Sequence, residues 1–245
     1  MPSVFLSPST QEFNPYINGG NEEQYMNLIA DAMVPYLLAS GIEVGRNDPD
    51  EPLSAAIAAS NAGDYDFHLA IHSNSSPESI AGQLRGPDVY YYATSERGRD
   101  AATIIANNMK WLYPDPSLVN TVPNTTLAEL RRVTAPSVLI EVAYHDNYAD
   151  ARWIEGSLDV IAQAIARGLC DYFGLPFLYP QTPREGIVAT AGSPLLLRAY
   201  PGIDGEIIGR IPNGASVEIY ASYDGWYSVR YGETLGYAAQ AYILA

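Results

Sequence analysis

Glu141 interrupts the run Val138-Leu139-Ile140-Glu141-Val142, whose other members all seek burial. A carboxylate placed there costs free energy unless it is paired or protonated, and a carboxyl that holds its proton is equipped for acid/base work. A structural salt bridge is the competing reading, although basic residues are few. His72 closes a second apolar run, Phe67–Ile71, and is followed by the polar Ser73-Asn74-Ser75-Ser76. That places its imidazole at the rim of a sheet, on the same edge as Glu141 if the two strands are parallel. His68 lies four residues earlier and points to the same face. Strand rise separates the two rings by ~13 Å, too far to share a metal, so His68 reads as a core histidine. His145 falls in the loop Tyr144-His145-Asp146-Asn147. Glu22 and Glu23 open a helix behind Asn21, where the helix dipole favours carboxylates whatever else they do. A histidine with carboxylates and an open coordination position is what a hydrolytic zinc site requires.

These residues need elements to position them. Ser3–Ser7, Glu43–Arg46, Asp66–His72, Asp88–Tyr92 and Ser137–Val142 read as strands. The third and last of these are nearly continuous apolar runs, as in strands buried on both faces. Between them, Glu22–Ser40 reads as a helix carrying Tyr25, Leu28, Ile29, Met33 and Leu37 on one face, with Gly41 at its C′ position and Pro35 inside. An Ala-rich helix follows from about Leu53 to Ser60. Ser95 caps a third helix, ended by Pro114, and a last one carries Ile161, Ile165 and Leu169 to Gly174. Such alternation predicts a three-layer α/β domain with a mostly parallel sheet over residues 1–174. Residues 175–185 contain Pro176, Pro180 and Pro183 and read as a semi-rigid linker. Residues 186–245 hold only short strand-sized runs between Gly, Pro and Asn, which predicts a small β-barrel.

Composition narrows the function classes. The chain has 245 residues, 13 basic and 28 acidic, for a net charge of −15. Such a surface repels nucleic acid and anionic membrane. No apolar run approaches the ~18 residues of a membrane span, so no membrane insertion is expected. Met1–Ser9 lacks the basic flank and apolar stretch of a signal peptide. Cys170 is the single cysteine, which excludes an internal disulfide and a Cys-rich zinc finger.

Asp66–Asn74, then Gly86-Pro87-Asp88-Val89-Tyr90-Tyr91-Tyr92, then Ala135-Pro136-Ser137-Val138-Leu139-Ile140-Glu141-Val142 resemble, in order and spacing, the type 3 N-acetylmuramoyl-L-alanine amidases. These are zinc-dependent cell-wall hydrolases of bacteria and phages. The resemblance implies that Glu23, four residues before Asn27, is a zinc ligand and that Glu22 is not. It implies His72 as a second ligand within Ile71-His72-Ser73-Asn74, with Asn74 beside the substrate. It implies Glu141 as the catalytic acid/base. The chain departs from the family at the first strand: Thr10 stands where the family has a zinc-binding histidine. His145 is the proposed replacement, with Gln11 or a water next in line. The tail from about Ile187 resembles bacterial SH3 domains, in which Trp226 and Tyr227 are candidates to line a peptide groove or to fill the barrel core.

The implied activity is cleavage of the amide between N-acetylmuramic acid and L-alanine in peptidoglycan, by zinc-activated water, at the cell wall. Two alternatives are open. One is a metal-free pseudoenzyme that binds the wall, which Thr10 favours; the other is a zinc peptidase cutting the stem peptide.

Overall fold

The computed structural model describes residues 1–245. The chain forms two compact units, one of residues 3–33 and 44–172, the other of residues 1–2, 34–43 and 173–245.

In chain order, the elements up to residue 173 are β1 (Ser3–Pro8), α1 (Glu22–Ala39), β2 (Glu43–Arg46), α2 (Leu53–Ala62), β3 (Phe67–Asn74), β4 (Asp88–Tyr92), α3 (Glu96–Lys110), β5 (Asn120–Asn124), α4 (Ala128–Arg131), β6 (Ser137–Tyr144), α5 (Tyr148–Gly156) and α6 (Leu158–Phe173). The six strands form one sheet in the order β2-β1-β3-β6-β4-β5. Pairing is parallel for β1–β3, β3–β6 and β4–β5, and antiparallel for β4–β6. The sheet is thus mostly parallel. Nearly every residue of β3 and β6 is buried, so both faces at the sheet centre are covered, as their unbroken apolar runs require.

Local chemistry sets the element ends. Asn21 Oδ1 accepts the Gln24 backbone N–H at 2.8 Å and opens α1, and Ser95 Oγ accepts from the Gly98 N–H to open α3. The buried stripe of the first turns of α1 is Met26, Ile29, Ala30 and Met33, while Leu28 is exposed. Of the face read in the sequence, Ile29, Met33 and Leu37 are buried and Tyr25 is half-buried. β5 and the one-turn α4 were not legible in the sequence. Both are too short for a period to show, and Pro123 sits inside β5. After β6, Asn147 Oδ1 accepts the Ala149 and Asp150 N–H groups and caps α5. The fully buried Asp150 accepts from the Gly86 and Tyr144 N–H groups and from the Tyr113 hydroxyl at 2.6 Å. These bonds lock the loops at the end of β6.

The second unit holds β7 (Arg184–Val188), β8 (Leu195–Arg198), β9 (Ile207–Ile211), β10 (Ser216–Tyr223), β11 (Trp226–Tyr231), β12 (Thr234–Ala239) and β13 (Ile243–Leu244). They form one antiparallel sheet in the order β13-β7-β10-β11-β12-β8-β9. Its core includes Val188, Leu197, Ile211, Ile219, Tyr227 and Val229. Asp224 and Gly225, both at positive φ, make the two-residue turn that joins β10 to β11 with the strand twist such hairpins need. β7 starts at Arg184, two residues before the expected barrel boundary. Residues 175–183 carry no regular element, yet Leu175 and Leu178 are buried.

Candidate active site

Register places three charged groups side by side. His72 of β3 pairs with Glu141 of β6, and Glu141 pairs in turn with Asp88 of β4. Register partners point to the same face, so the three form a row across strands spaced ~4.8 Å apart. This row stands near the polar ends of β3 and β6, where open α/β sheets collect ligands.

His72 is held at both ring nitrogens. Its Nδ1–H donates to Glu22 Oε1 at 2.8 Å and its Nε2–H donates to Glu129 Oε2 at 3.2 Å. The other oxygen of Glu129 accepts from His68 Nε2–H at 3.2 Å, and His68 Nδ1 meets the Ser60 hydroxyl at 2.9 Å. Glu129, only 2% exposed, therefore bridges the two histidines that are too far apart to touch. On the other side, Asn14 Nδ2–H donates to Glu22 Oε2 at 2.7 Å and to Gln11 Oε1 at 3.1 Å. The Gln11 amide nitrogen lies 3.3 Å from His72 Nδ1.

These partners set the charges. Burial alone would raise the Glu129 carboxyl, but hydrogen bonds from His68 and His72 outweigh it and hold Glu129 well below the usual carboxylate range. Glu22 is lowered likewise: burial opposes, and the bond and charge of His72 with the bond from Asn14 prevail. Burial would also discharge His72, yet its bonds to Glu129 and Glu22 hold it protonated well above the usual histidine range. Glu141 differs. Burial pushes it up, His72 pulls it down, and like charge from Glu22, Asp88 and Glu129 pushes it up again, to about 7. Its Oε2 is enclosed with no hydrogen-bond partner. A carboxyl that is half-ionised near neutrality, with one idle oxygen, can exchange a proton with a bound water.

A cavity of about 450 Å³ opens beside this row, with His72 and Glu129 in its wall next to Ser9, Thr10 and Gln11, and with exposed Phe13 at its lining. Asn74 is half-buried at the end of β3, its Nδ2–H 3.5 Å from Asp88 Oδ2. The Tyr144 hydroxyl lies 3.3 Å from the same oxygen.

Residues 11–171 match the family model described as N-acetylmuramoyl-L-alanine amidase. The chain belongs to this family. It is an N-acetylmuramoyl-L-alanine amidase, a hydrolase of peptidoglycan, and residues 193–243 match the bacterial SH3 domain model. Similar solved structures include an amidase from Clostridium difficile 630, at TM-score 0.63 and 19% identity, covering 71% of this chain and 97% of that one. AmiC2 of Nostoc punctiforme superposes at TM-score 0.62 and 20% identity, covering 71% and 97%. The catalytic domain of the CD27L endolysin targeting Clostridia difficile gives 0.59 and 21%, covering 70% and 98%. These likenesses concern the fold. Comparison with curated proteins gave no match.

The amidase family is generally zinc-dependent. The three donors implied by the resemblance, Glu23, His72 and His145, do not come together. No group of three His, Cys, Asp or Glu side chains is arranged to hold a metal ion. Glu22, not Glu23, turns inward to His72; the Glu23 carboxylate accepts from its own helix neighbour Asn27 at 3.2 Å. One residue along a helix is a rotation of about 100°, so only one of the pair can face His72. His145 is buried, but its Nδ1 is engaged by the Ser73 carbonyl at 3.0 Å and the Ser73 hydroxyl at 3.1 Å, and its ring stacks on Tyr16. It fastens the loop after β6 to the end of β3. The residues present do not fit the family's zinc set.

Sequence reasoning did not find Glu129 or Asp88 as members of the site, named Gln11 only after His145, and set Glu22 aside. Glu129 had one available signal, a lone carboxylate between Leu127 and Leu130 just ahead of the buried β6. In the barrel, Tyr227 is core, with its hydroxyl accepting from Gln240 at 3.0 Å. Trp226 instead lines a cavity of about 490 Å³ with Arg198, Ile203 and Tyr242.

Proposed function

We propose that this amidase cleaves the bond between the lactyl carbonyl of N-acetylmuramic acid and the nitrogen of L-alanine with Glu141 as the group that moves the proton. The observation that carries this reading is the enclosed, unpaired Oε2 of Glu141, next to His72 at the sheet edge. Ionised Glu141 takes a proton from water as the water oxygen attacks the carbonyl carbon. His72, its two ring N–H groups taken by Glu22 and Glu129, lowers the proton affinity of Glu141 by its charge and so keeps a fraction of it ionised for this step. Glu141 then returns the proton to the alanine nitrogen, the C–N bond breaks, and a lactyl carboxylate and a free amine leave. Asn74, at the end of β3, is the residue assigned to hold the substrate amide.

Zinc, the family's usual cofactor, would polarise the carbonyl as a Lewis acid. To bind here it would have to displace one of the carboxylates from His72, and Glu23 and His145 would not reach it. The steps above use this chain's own groups.

The barrel is assigned to wall peptide, with Trp226 as its contact and Tyr227 as core. Tethering by the barrel would raise the local substrate concentration, and the site of action is the cell wall. No helix is long and apolar enough to cross a membrane. Mass spectrometry of wall digests tests the reading: intact stem peptides with a free L-alanine amine support it. Peptides cut within the stem would make the protein a peptidase. Unchanged wall, with the protein bound to it, would make it a wall-binding protein without catalysis.

A further inference from the structure

We infer that this amidase holds no zinc at the family's position, because hydrogen bonds among Asn14, Glu22, His72 and Glu129, with Gln11 packed against them, close that position. The inference stands on occupied donor atoms. Zinc takes an imidazole nitrogen through its lone pair at about 2.0–2.1 Å. Both nitrogens of His72 instead face carboxylate oxygens, which only accept, so each nitrogen carries a hydrogen. Glu22 has no idle oxygen: Oε1 accepts from His72 and, at 3.4 Å, from the Ser73 N–H, and Oε2 accepts from Asn14. Glu129 has none either, with one oxygen on each histidine. Gln11 follows Thr10, the residue standing for the family's histidine; its side-chain oxygen accepts from Asn14, and its amide nitrogen packs 3.3 Å from His72 Nδ1 without hydrogen-bonding to it.

The closure is braced from outside the family's set. His68 and Ser60 lie on the far side of Glu129 and fix its orientation, so the His72 ring is gripped by groups from α1, β3 and α4, with α2 behind them. A site prepared for a metal would leave carboxylate oxygens unpaired, at the cost of buried polar atoms without partners. Here the idle buried oxygen belongs to Glu141 alone among these carboxylates. One oxygen does not make a metal site.

The test uses the full chain, expressed with zinc in the medium and dialysed without chelator. Elemental analysis is expected to find far less than one zinc per chain, and thermal unfolding is expected not to shift with EDTA or added zinc. Nitrogen-edited NMR of the histidine rings is expected to show both His72 N–H groups, unchanged when zinc is added. Stoichiometric zinc that disappears in Glu22→Gln or His72→Ala, or loss of a His72 ring N–H on adding zinc, would overturn the inference. Zinc that survives both substitutions sits elsewhere and upholds it. None of these readouts requires turnover. A zinc-free protein with no amidase activity would sink the proposed mechanism and leave this inference standing. Stoichiometric zinc lost in Glu22→Gln or His72→Ala, from an enzyme whose amidase activity EDTA leaves unchanged, would do the reverse.

Discussion

Glu129 is buried and Glu141 half-buried, both beside the His72 imidazole, and their proton affinities are shifted in opposite directions. Glu129 meets two histidines, one at each oxygen, and stays ionised far into acid. Glu141 shares the field of His72 but has like-charged neighbours and an oxygen with no partner, and its carboxyl is pushed up to about 7. Loss of solvation pushes both upward. Hydrogen-bond partners decide which is a fixed anion and which can exchange a proton, the role proposed for Glu141.

The sharpest way to break this comparison is Glu141→Gln. The amide keeps the shape and removes the proton acceptor, and turnover is expected to fall by ~10²-fold or more, in line with general-base contributions. Release of stem peptide from purified wall measures it; wild-type turnover in this variant would remove Glu141 from the mechanism.

Glu129→Ala acts on the other side. It leaves two buried histidines facing an empty acceptor position, and breaking a buried pair in this way costs about 3–5 kcal/mol. Urea unfolding followed by circular dichroism reads the change. A loss below ~1 kcal/mol would put the bridge in the class of exposed ion pairs, and Glu129 would no longer be a support.

The two carboxylates also give stability opposite pH slopes. Between about pH 4.5 and 7 the native Glu141 keeps a proton that the unfolded chain has released, so its contribution to stability falls as pH rises through that window and is constant above it. The difference from Glu141→Gln across the window is expected to reach about 3 kcal/mol in favour of the variant. Glu129 has a lowered folded value, so its contribution is full above the unfolded value of about 4.5 and is lost as pH falls below it. Unfolding curves for wild type and Glu141→Gln at several pH values check the first sign, and curves for Glu129→Ala the second; a Glu141→Gln curve parallel to wild type would mean that Glu141 is ionised throughout.

The smallest effect is expected from Asp88→Asn. It removes one like charge opposite Glu141 in register, and the acidic limb of the pH–rate profile should move to lower pH by less than about one unit. A limb that stays in place would show that Asp88 is screened from Glu141.

The sequence by itself determined the α/β unit, the mostly parallel sheet, the barrel that follows it, and the edge on which His72 and Glu141 meet. These rest on local patterns: apolar runs of strand length, helix caps such as Ser95, and polar residues that end a buried strand. It singled out Glu141 because a carboxylate inside an apolar run is anomalous whatever surrounds it. Tertiary structure alone decided which partners complete the site. Glu22 faces His72 in place of Glu23 because α1 packs with Met26, Ile29 and Met33 buried, which puts Glu22 on the same inward stripe, and one residue along a helix turns a side chain by about 100°. Glu129 enters from a single turn of helix that has no period to read, and lands between His68 and His72 only because β3 carries both rings on one face. His145 shares the end of the sheet with His72, yet Ser73 and Tyr16 take its ring. Proximity in sequence to the functional edge does not give a side chain its direction; the atoms that satisfy its polar groups do.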